Sequence, residues 1–349
     1  MITEIVKIDE LNDESQKTLR RAASIINDGG LVVFPTETVY GLGGDATNPD
    51  AARKIYEAKG RPSDNPLIIH ISSPEEAERY AYTSELYYML AERFMPGPLT
   101  LILKAKDTVP TQTRGGLETV AVRCPENPIA RELIKLAGVP IAAPSANLSG
   151  SPSPTNAAHV REDMDGRVDM IIDGGDADFG LESTILKIDG DVITLLRPGR
   201  ITMAELEAYV GDIEVSKAVT EALAPGERVL SPGMKYRHYA PKAEVILLDG
   251  TPTAACDYIL ACGLTEGTAV IAYTEDIPLF EERLKKTKII DFGSSKNELE
   301  QAKRLFALLR DADAEGLRKV YAPLPRREGI GLALYNRMIR AAAYNIVKL

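Results

Sequence analysis

Residues 19–45 read LRRAASIINDGGLVVFPTETVYGLGGD, and they set the fold class. Leu19, Ala22, Ala23 and Ile26 recur at helical spacing and stop at Gly29-Gly30, a helix closing on residues free to turn back. LVVF (31–34) then reads as a buried strand, and a polar segment rich in glycine follows it. The same order repeats outward. Asn48-Pro49 supplies an N-cap and a first-turn proline for a helix through Ala58. Further strand candidates are LIIHI (67–71), LTLIL (99–103), TVAVR (119–123), IAA (141–143), MII (170–172) and TILKI (184–188). Short β-branched runs alternating with helical patterns predict an α/β domain, and several runs lead directly into Pro/Gly/Ser loops, where functional side chains concentrate.

A chain of 349 residues exceeds one ordinary core, so two domains are expected. The segment LAPGERVLSPGMKYRHYAPKAE is dense in Pro and Gly and without periodicity, which makes 222–242 a linker. Its cations (Arg228, Lys235, Arg237, Lys242) and tyrosines (Tyr236, Tyr239) are unusual for a passive tether. Beyond it EVILLD, a helix at Pro252–Cys262, TAVIAY, a helix near Leu279–Lys286, KIIDF and a helix carrying Leu299, Ala302, Phe306 and Leu309 alternate in βαβ order. A last helix is expected near Gly331–Val347. The expected organisation is a catalytic domain over 1–221, the linker over 222–242, and a small Rossmann-like α/β domain over 243–349 that lacks a GxGxxG fingerprint.

Composition narrows the function classes. An apolar fraction of 44%, with 14 Tyr and 6 Phe, excludes a disordered chain. No apolar run approaches the roughly 20 residues of a membrane span, and MITEIVKIDELNDES lacks a secretory pattern. Cys124, Cys256 and Cys262 form no CxxC pair, which suits a reducing, cytoplasmic compartment. Residues 1–211 hold 21 basic and 32 acidic side chains, net −11, against 20 and 19, net +1, in the remainder. A polyanion-wrapping surface is a poor fit to that balance, so an anion site in the first part must be a local pocket.

No P-loop, HExxH, GxSxG or zinc spacing occurs, and His70, His159 and His238 are far apart, so no protein-caged metal is expected. Polar loops remain. In PTETVYGLGGD (35–45), Thr36 and Thr38 offer hydroxyls, and Gly41, Gly43 and Gly44 allow close backbone approach to a ligand; a tight glycine turn would read the same. In KGRPSDNPLIIH (59–70), Lys59 and Arg61 flank a helix end before a rigid turn, a pairing suited to phosphate oxygens. PSANLSGSPSP (144–154) is a serine-rich loop after a buried strand. Arg123, Ser183-Thr184 and Arg197 complete the set. Cys124 reads as a packed cysteine rather than a nucleophile.

Together PTETVYGLGGD, KGRPSDNPL, FMPGPLT, AVRCP, APSANLSG, ESTI and RPG resemble, in order, the threonylcarbamoyl-AMP synthases with their YrdC-type domain. SPGMKYRHYAP and GIGLALYNRMIRAA resemble the long, two-domain form. The resemblance implies a twisted open-sheet catalytic domain followed by the Rossmann-like domain. It also implies synthesis of L-threonylcarbamoyladenylate and pyrophosphate from L-threonine, bicarbonate or carbon dioxide, and ATP with Mg2+. The product would pass to the machinery that modifies tRNA adenosine beside the anticodon, without stable nucleic-acid binding and away from membranes. By the same resemblance Thr36, His70, Arg123, Ala143 and Ser183 hold threonine. Lys59, Arg61, Ser63, Thr119, Ser145, Asn147, Ser153 and Arg197 surround ATP, with Lys59 and Arg61 the catalytic cations. Tyr236 and Arg237 reach the nucleotide from a linker that acts as a lid, and His70 is the one side chain offered as a base for the amine. Two rivals are an RNA-binding or ribosome-associated module, which the acidic first part disfavours, and a hydrogenase-maturation carbamoyltransferase, whose cysteine-rich and acylphosphatase-like parts are missing here.

Overall fold

The computed structural model describes residues 2–222, 230–231 and 239–349. By its contacts the chain divides into two compact units, Met1–Ser149 with Ser153–Lys235, and Gly150–Pro152 with Tyr236–Leu349.

The first unit is built on a mixed sheet whose strands are β1 (Glu4–Lys7), β2 (Val32–Phe34), β3 (Gly41–Asp45), β4 (Ile68–His70), β5 (Leu99–Lys104), β6 (Thr119–Arg123), β7 (Ile141–Ala142), β8 (Met170–Asp173), β9 (Thr184–Asp189), β10 (Val192–Arg197) and β11 (Glu214–Val215). They lie in the order β1-β8-β2-β3-β7-β4-β6-β5-β9-β10-β11. The helices are α1 (Asp13–Asn27), α2 (Pro49–Lys59), α3 (Glu85–Phe94), α4 (Pro128–Ala137), α5 (Ala157–Met164) and α6 (Met203–Val210).

The helix of the opening stretch is α1. Asn12 caps it in a capping box, and Leu19, Ala22, Ala23 and Ile26 form its buried stripe. That stripe and the apolar face of α4 (Ile129, Ala130, Leu133, Ile134) pack on Val32, Phe34, Ile141, Ala143, Met170 and Ile172. A separate small cluster, Ile68, Ile102, Ala121, Ile185 and Leu196, is joined by half-buried Leu230, a residue of the expected linker.

GLGGD is not a ligand-approach loop. It is the strand β3, antiparallel to β2. A Cβ on Gly43 would stand 2.7 Å from Phe34 Cε1 and 2.8 Å from Ile141 Cγ2, so the glycine is there to let the sheet face close under Phe34.

The second unit carries β12 (Glu244–Asp249), α7 (Pro252–Cys262), β13 (Thr268–Ala272), α8 (Ile277–Arg283), β14 (Lys288–Asp291), α9 (Glu298–Ala314), β15 (Lys319–Pro323), α10 (Gly331–Ala341) and β16 (Ile346–Lys348). Its strands are parallel throughout, in the order β14-β13-β15-β12-β16, the Rossmann-like winding that the alternation predicts. The last helix ends at Ala341, short of Val347. Ala343 and Tyr344 take positive φ (48° and 63°), which breaks the helix and releases IVK to pair with β12. Tyr239, read as a linker tyrosine, is buried in this unit with its ring 5.3 Å from that of Phe306.

Candidate functional site

The register of the first sheet assembles the site. His70 on β4 pairs with Arg123 on β6, Arg123 with Thr100 on β5, Thr100 with Ile185 on β9, and Ile185 with Arg197 on β10. Directly paired residues present their side chains to one face. Five strands thus place His70, Arg123, Thr100, Ile185 and Arg197 in one row, spanning roughly 19 Å at ~4.8 Å per strand. The row lies at one end of the sheet, where β4, β6 and β10 finish. A register shift between Leu195 and Arg197 brings the arginine into the row. Gly199 then folds the chain against Ser183 and Thr184 so closely that a Cβ would lie 2.4 Å from Thr184 N.

At the centre, Arg123 Nη2 donates to Glu37 Oε1 at 2.6 Å, with both side chains more than nine-tenths buried. Arg123 Nε also reaches Gly97 O at 3.4 Å. Glu37 Oε2 is buried with no hydrogen-bond partner among the described residues. Next in the row, Thr100 Oγ1 and Ser183 Oγ are 2.7 Å apart, and Arg197 donates to Ser183 O (3.0 Å) and Ser183 Oγ (3.1 Å). At the other end His70 is buried, its ring edge-on to Phe34. Burial first and the Arg123 charge second push its pKa down to about 3. The imidazole is therefore neutral near pH 7 and a weak base, which argues against it as the acceptor of the ammonium proton. Thr36 Oγ1 lies 2.5 Å from Val39 O, to which it donates, and accepts from Thr38 N and Val39 N, so its hydroxyl organises the turn that carries Glu37. Ala143 caps the same face beyond β7, its amide donating to Ile68 O.

A second group forms around the end of α2. Asn48 and Pro49 start the helix, and Gly60, at φ 60°, ends it by turning the chain back between Lys59 and Arg61. Buried Lys59 Nζ donates to Ser145 O (2.5 Å) and Asn147 O (2.6 Å). Ser145 Oγ donates to Asn147 Oδ1 at 2.5 Å. Arg61 Nη2 donates to Asn65 O (3.2 Å) and Pro66 O (3.0 Å) on the approach to β4. The serine loop is fixed to the PTET segment by Tyr40 N to Pro154 O, Ala146 N to Tyr40 O and Leu42 N to Pro144 O. Ser153 Oγ donates to Glu182 Oε1 at 2.5 Å.

Thr36, His70, Arg123, Ala143, Ser183 and Arg197 thus lie along one face and the segments bordering it, and Lys59, Ser145 and Asn147 form one hydrogen-bonded group. Ser63 is exposed in its turn. Thr119 begins β6, four residues before Arg123 and so roughly 13 Å along the strand. Tyr236 and Arg237 lie outside the described residues, as does most of the expected lid. Cys124 is buried and its thiol is pushed up to about 12 by desolvation, the state of a packing residue. The sequence reading missed Glu37, Thr100 and Glu182. Their only signal is polarity at a strand end inside an otherwise apolar or hydroxyl-bearing string. Among the described residues no group of three or more His, Cys, Asp or Glu is placed to hold a metal ion, and no helix is long and apolar enough to cross a membrane.

This fold and polar face have known counterparts. Residues 24–199 match the sequence family described as telomere recombination, which groups Sua5, YciO and YrdC proteins. Residues 201–343 match the threonylcarbamoyl-AMP synthase C-terminal domain. The chain is 44% identical to the threonylcarbamoyl-AMP synthase of Pyrococcus abyssi, over 99% of this chain and 100% of that one. It is 41% identical to the enzyme of that name from Bacillus subtilis, over 97% of each. The crystal structure of P. abyssi Sua5 complexed with L-threonine superposes with a TM-score of 0.90 at 42% identity, covering 99% of this chain and 100% of that one. The chain belongs to the threonylcarbamoyl-AMP synthase family, in its two-domain form, and is an enzyme.

Proposed function

We propose that the chain is a nucleotidyltransferase that joins L-threonine, bicarbonate or carbon dioxide, and ATP into L-threonylcarbamoyladenylate, releasing pyrophosphate. The product serves threonylcarbamoylation of tRNA adenosine next to the anticodon, in the cytoplasm. The observation that carries this reading is that Lys59, Arg61, Arg123 and Arg197 are all buried in a strongly acidic unit. The P. abyssi relative bound to L-threonine supports the choice of amino acid.

The threonine ammonium gives up a proton to solvent, and the free amine adds to carbon dioxide with release of a second proton to give a carbamate. A carbamate oxygen then attacks the α-phosphorus of ATP as pyrophosphate leaves. No enzyme nucleophile takes part, so positioning and charge stabilisation carry the catalysis. Arg123 pairs the threonine carboxylate, with Thr36, His70, Ala143 and Ser183 around it. Neutral His70 serves as a hydrogen-bonding wall. Lys59 and Arg61 take the triphosphate and the charge growing on pyrophosphate, while Ser63, Thr119, Ser145, Asn147, Ser153 and Arg197 complete the nucleotide's surroundings. Mg2+ would come with ATP and would neutralise charge on its phosphates with few ligands from the protein, as suits this ion. The test is pyrophosphate release with ATP, bicarbonate and each amino acid in turn. Release independent of both threonine and bicarbonate would overturn the proposal.

A further inference from the structure

We propose that Glu37 receives the α-ammonium group of the amino-acid substrate, so that the buried Glu37–Arg123 pair is a template for a zwitterion. The inference rests on the reading of this site as an amino-acid site and names the residue that recognises the amine.

The geometry carries it. Glu37 is held beside Arg123 through one carboxylate oxygen, and the other oxygen is buried with no donor among the described residues. A buried carboxylate oxygen without a donor is costly, and such groups in folded proteins stand where something else supplies the bond. The hydroxyls nearest in sequence do not supply it: Thr36 Oγ1 donates to Val39 O, and Thr36 and Thr38 share a contact of 2.9 Å. His70, opposite Arg123 on the neighbouring strand, has its own Nδ1 unsatisfied and carries no charge near pH 7. Glu37 thus keeps one buried carboxylate oxygen without a donor among the described residues, next to an arginine whose remaining N–H groups suit a carboxylate. The ammonium and carboxylate of an α-amino acid are joined through one carbon, so the groups that hold them must be neighbours, as Glu37 and Arg123 are. Backbone bonds fix the spacing: Glu37 O accepts from Phe179 N, and Thr38 O from Gly180 N, which pins the turn on both sides.

The experiment compares binding of L-threonine and of 3-hydroxybutyrate, which lacks only the amine, to the full chain and to Glu37→Gln. Calorimetry or NMR titration gives the affinities, and a melting curve reports the fold. Glu37→Gln is expected to weaken threonine by about 30-fold, the size of a lost charge-assisted bond, and to leave 3-hydroxybutyrate within about twofold. Glu37→Asp keeps the charge and is expected to retain an intermediate preference for threonine. Equal weakening of both ligands would show a purely structural role and overturn the proposal. Tighter threonine binding by Glu37→Gln would overturn it too, since Glu37 would then be an occupant that the substrate carboxylate displaces. A ratio for Glu37→Asp no better than that for Glu37→Gln would also count against it. If the wild-type chain prefers a different amino acid over its deaminated analogue, the threonine assignment falls while the role of Glu37 stands. If it binds no amino acid, both fall.

Discussion

Removing the ammonium of Lys59 is expected to cost stability as well as turnover. Lys59 Nζ donates to two main-chain carbonyls, Ser145 O and Asn147 O, and in the second bond both groups are buried. Lys59→Ala takes the ammonium donor away from both acceptors. Each lost charge-assisted bond costs about 1–3 kcal/mol, with water able to relieve part of the penalty at the half-buried Ser145 O, so the sum is about 2–5 kcal/mol. That is a large fraction of the roughly 5–15 kcal/mol that holds a domain together. For a unit of this size it lowers the melting temperature by about 10 °C. Lys59→Met keeps the aliphatic stem and is expected to fall by nearly as much, because the donors rather than the packing are lost. The assay is a calorimetric melt of each variant beside its pyrophosphate release, which is expected to drop at least about 100-fold. A Lys59→Ala protein melting within about 2 °C of wild type would refute the anchoring argument. Unchanged turnover would refute the catalytic one.

Three further outcomes follow from the packing and the titrations. Native His70 is held near pKa 3 against an ordinary 6.5, so between those values the unfolded chain takes up a proton that the native one does not. Stability is expected to fall as pH drops below 6.5, and His70→Phe is expected to flatten that decline in melts from pH 7 to 4.5; an equally steep decline would contradict the assignment. Gly43→Ala sets a methyl against Phe34 and Ile141 and is expected to destabilise by about 1–3 kcal/mol, read by urea unfolding, with no preferential loss of threonine affinity. Of the cysteines Cys262 is exposed while Cys124 and Cys256 are buried, so a thiol reagent at pH 8 is expected to label Cys262 rapidly and the other two only on unfolding.

Periodicity showed α1, α2, α7 and α9 plainly, because each buries an apolar stripe, and α2 and α7 begin on a proline at the predicted point. It did not show β3, since three glycines in five residues have no strand propensity and are selected by what lies above them. Nor did it show β16, three residues freed by two left-handed positions that the sequence does not advertise. In the site, Lys59, Arg61 and Arg123 stood out as cations at element ends. The Arg123–Glu37 pair did not, because two residues 86 positions apart meet through sheet register rather than spacing. His70 shows the limit in the other direction: its presence was plain, but the loss of its basicity depends on burial and on Arg123, which only the folded row supplies.

The shortest bonds that hold Lys59, and the two that hold Arg61 at Asn65 and Pro66, run to peptide oxygens, of Ser145, Asn147, Asn65 and Pro66, with the Asn147 side-chain oxygen farther from Lys59 Nζ at 3.4 Å. Peptide oxygens do not titrate and come with every residue type. These anchors therefore persist in acid, where a carboxylate partner would let go. They also escape side-chain scanning: replacing Asn65 changes an amide and leaves the oxygen that steers Arg61 in place. A map of substitution tolerance would show that position as expendable while the arginine it holds is not.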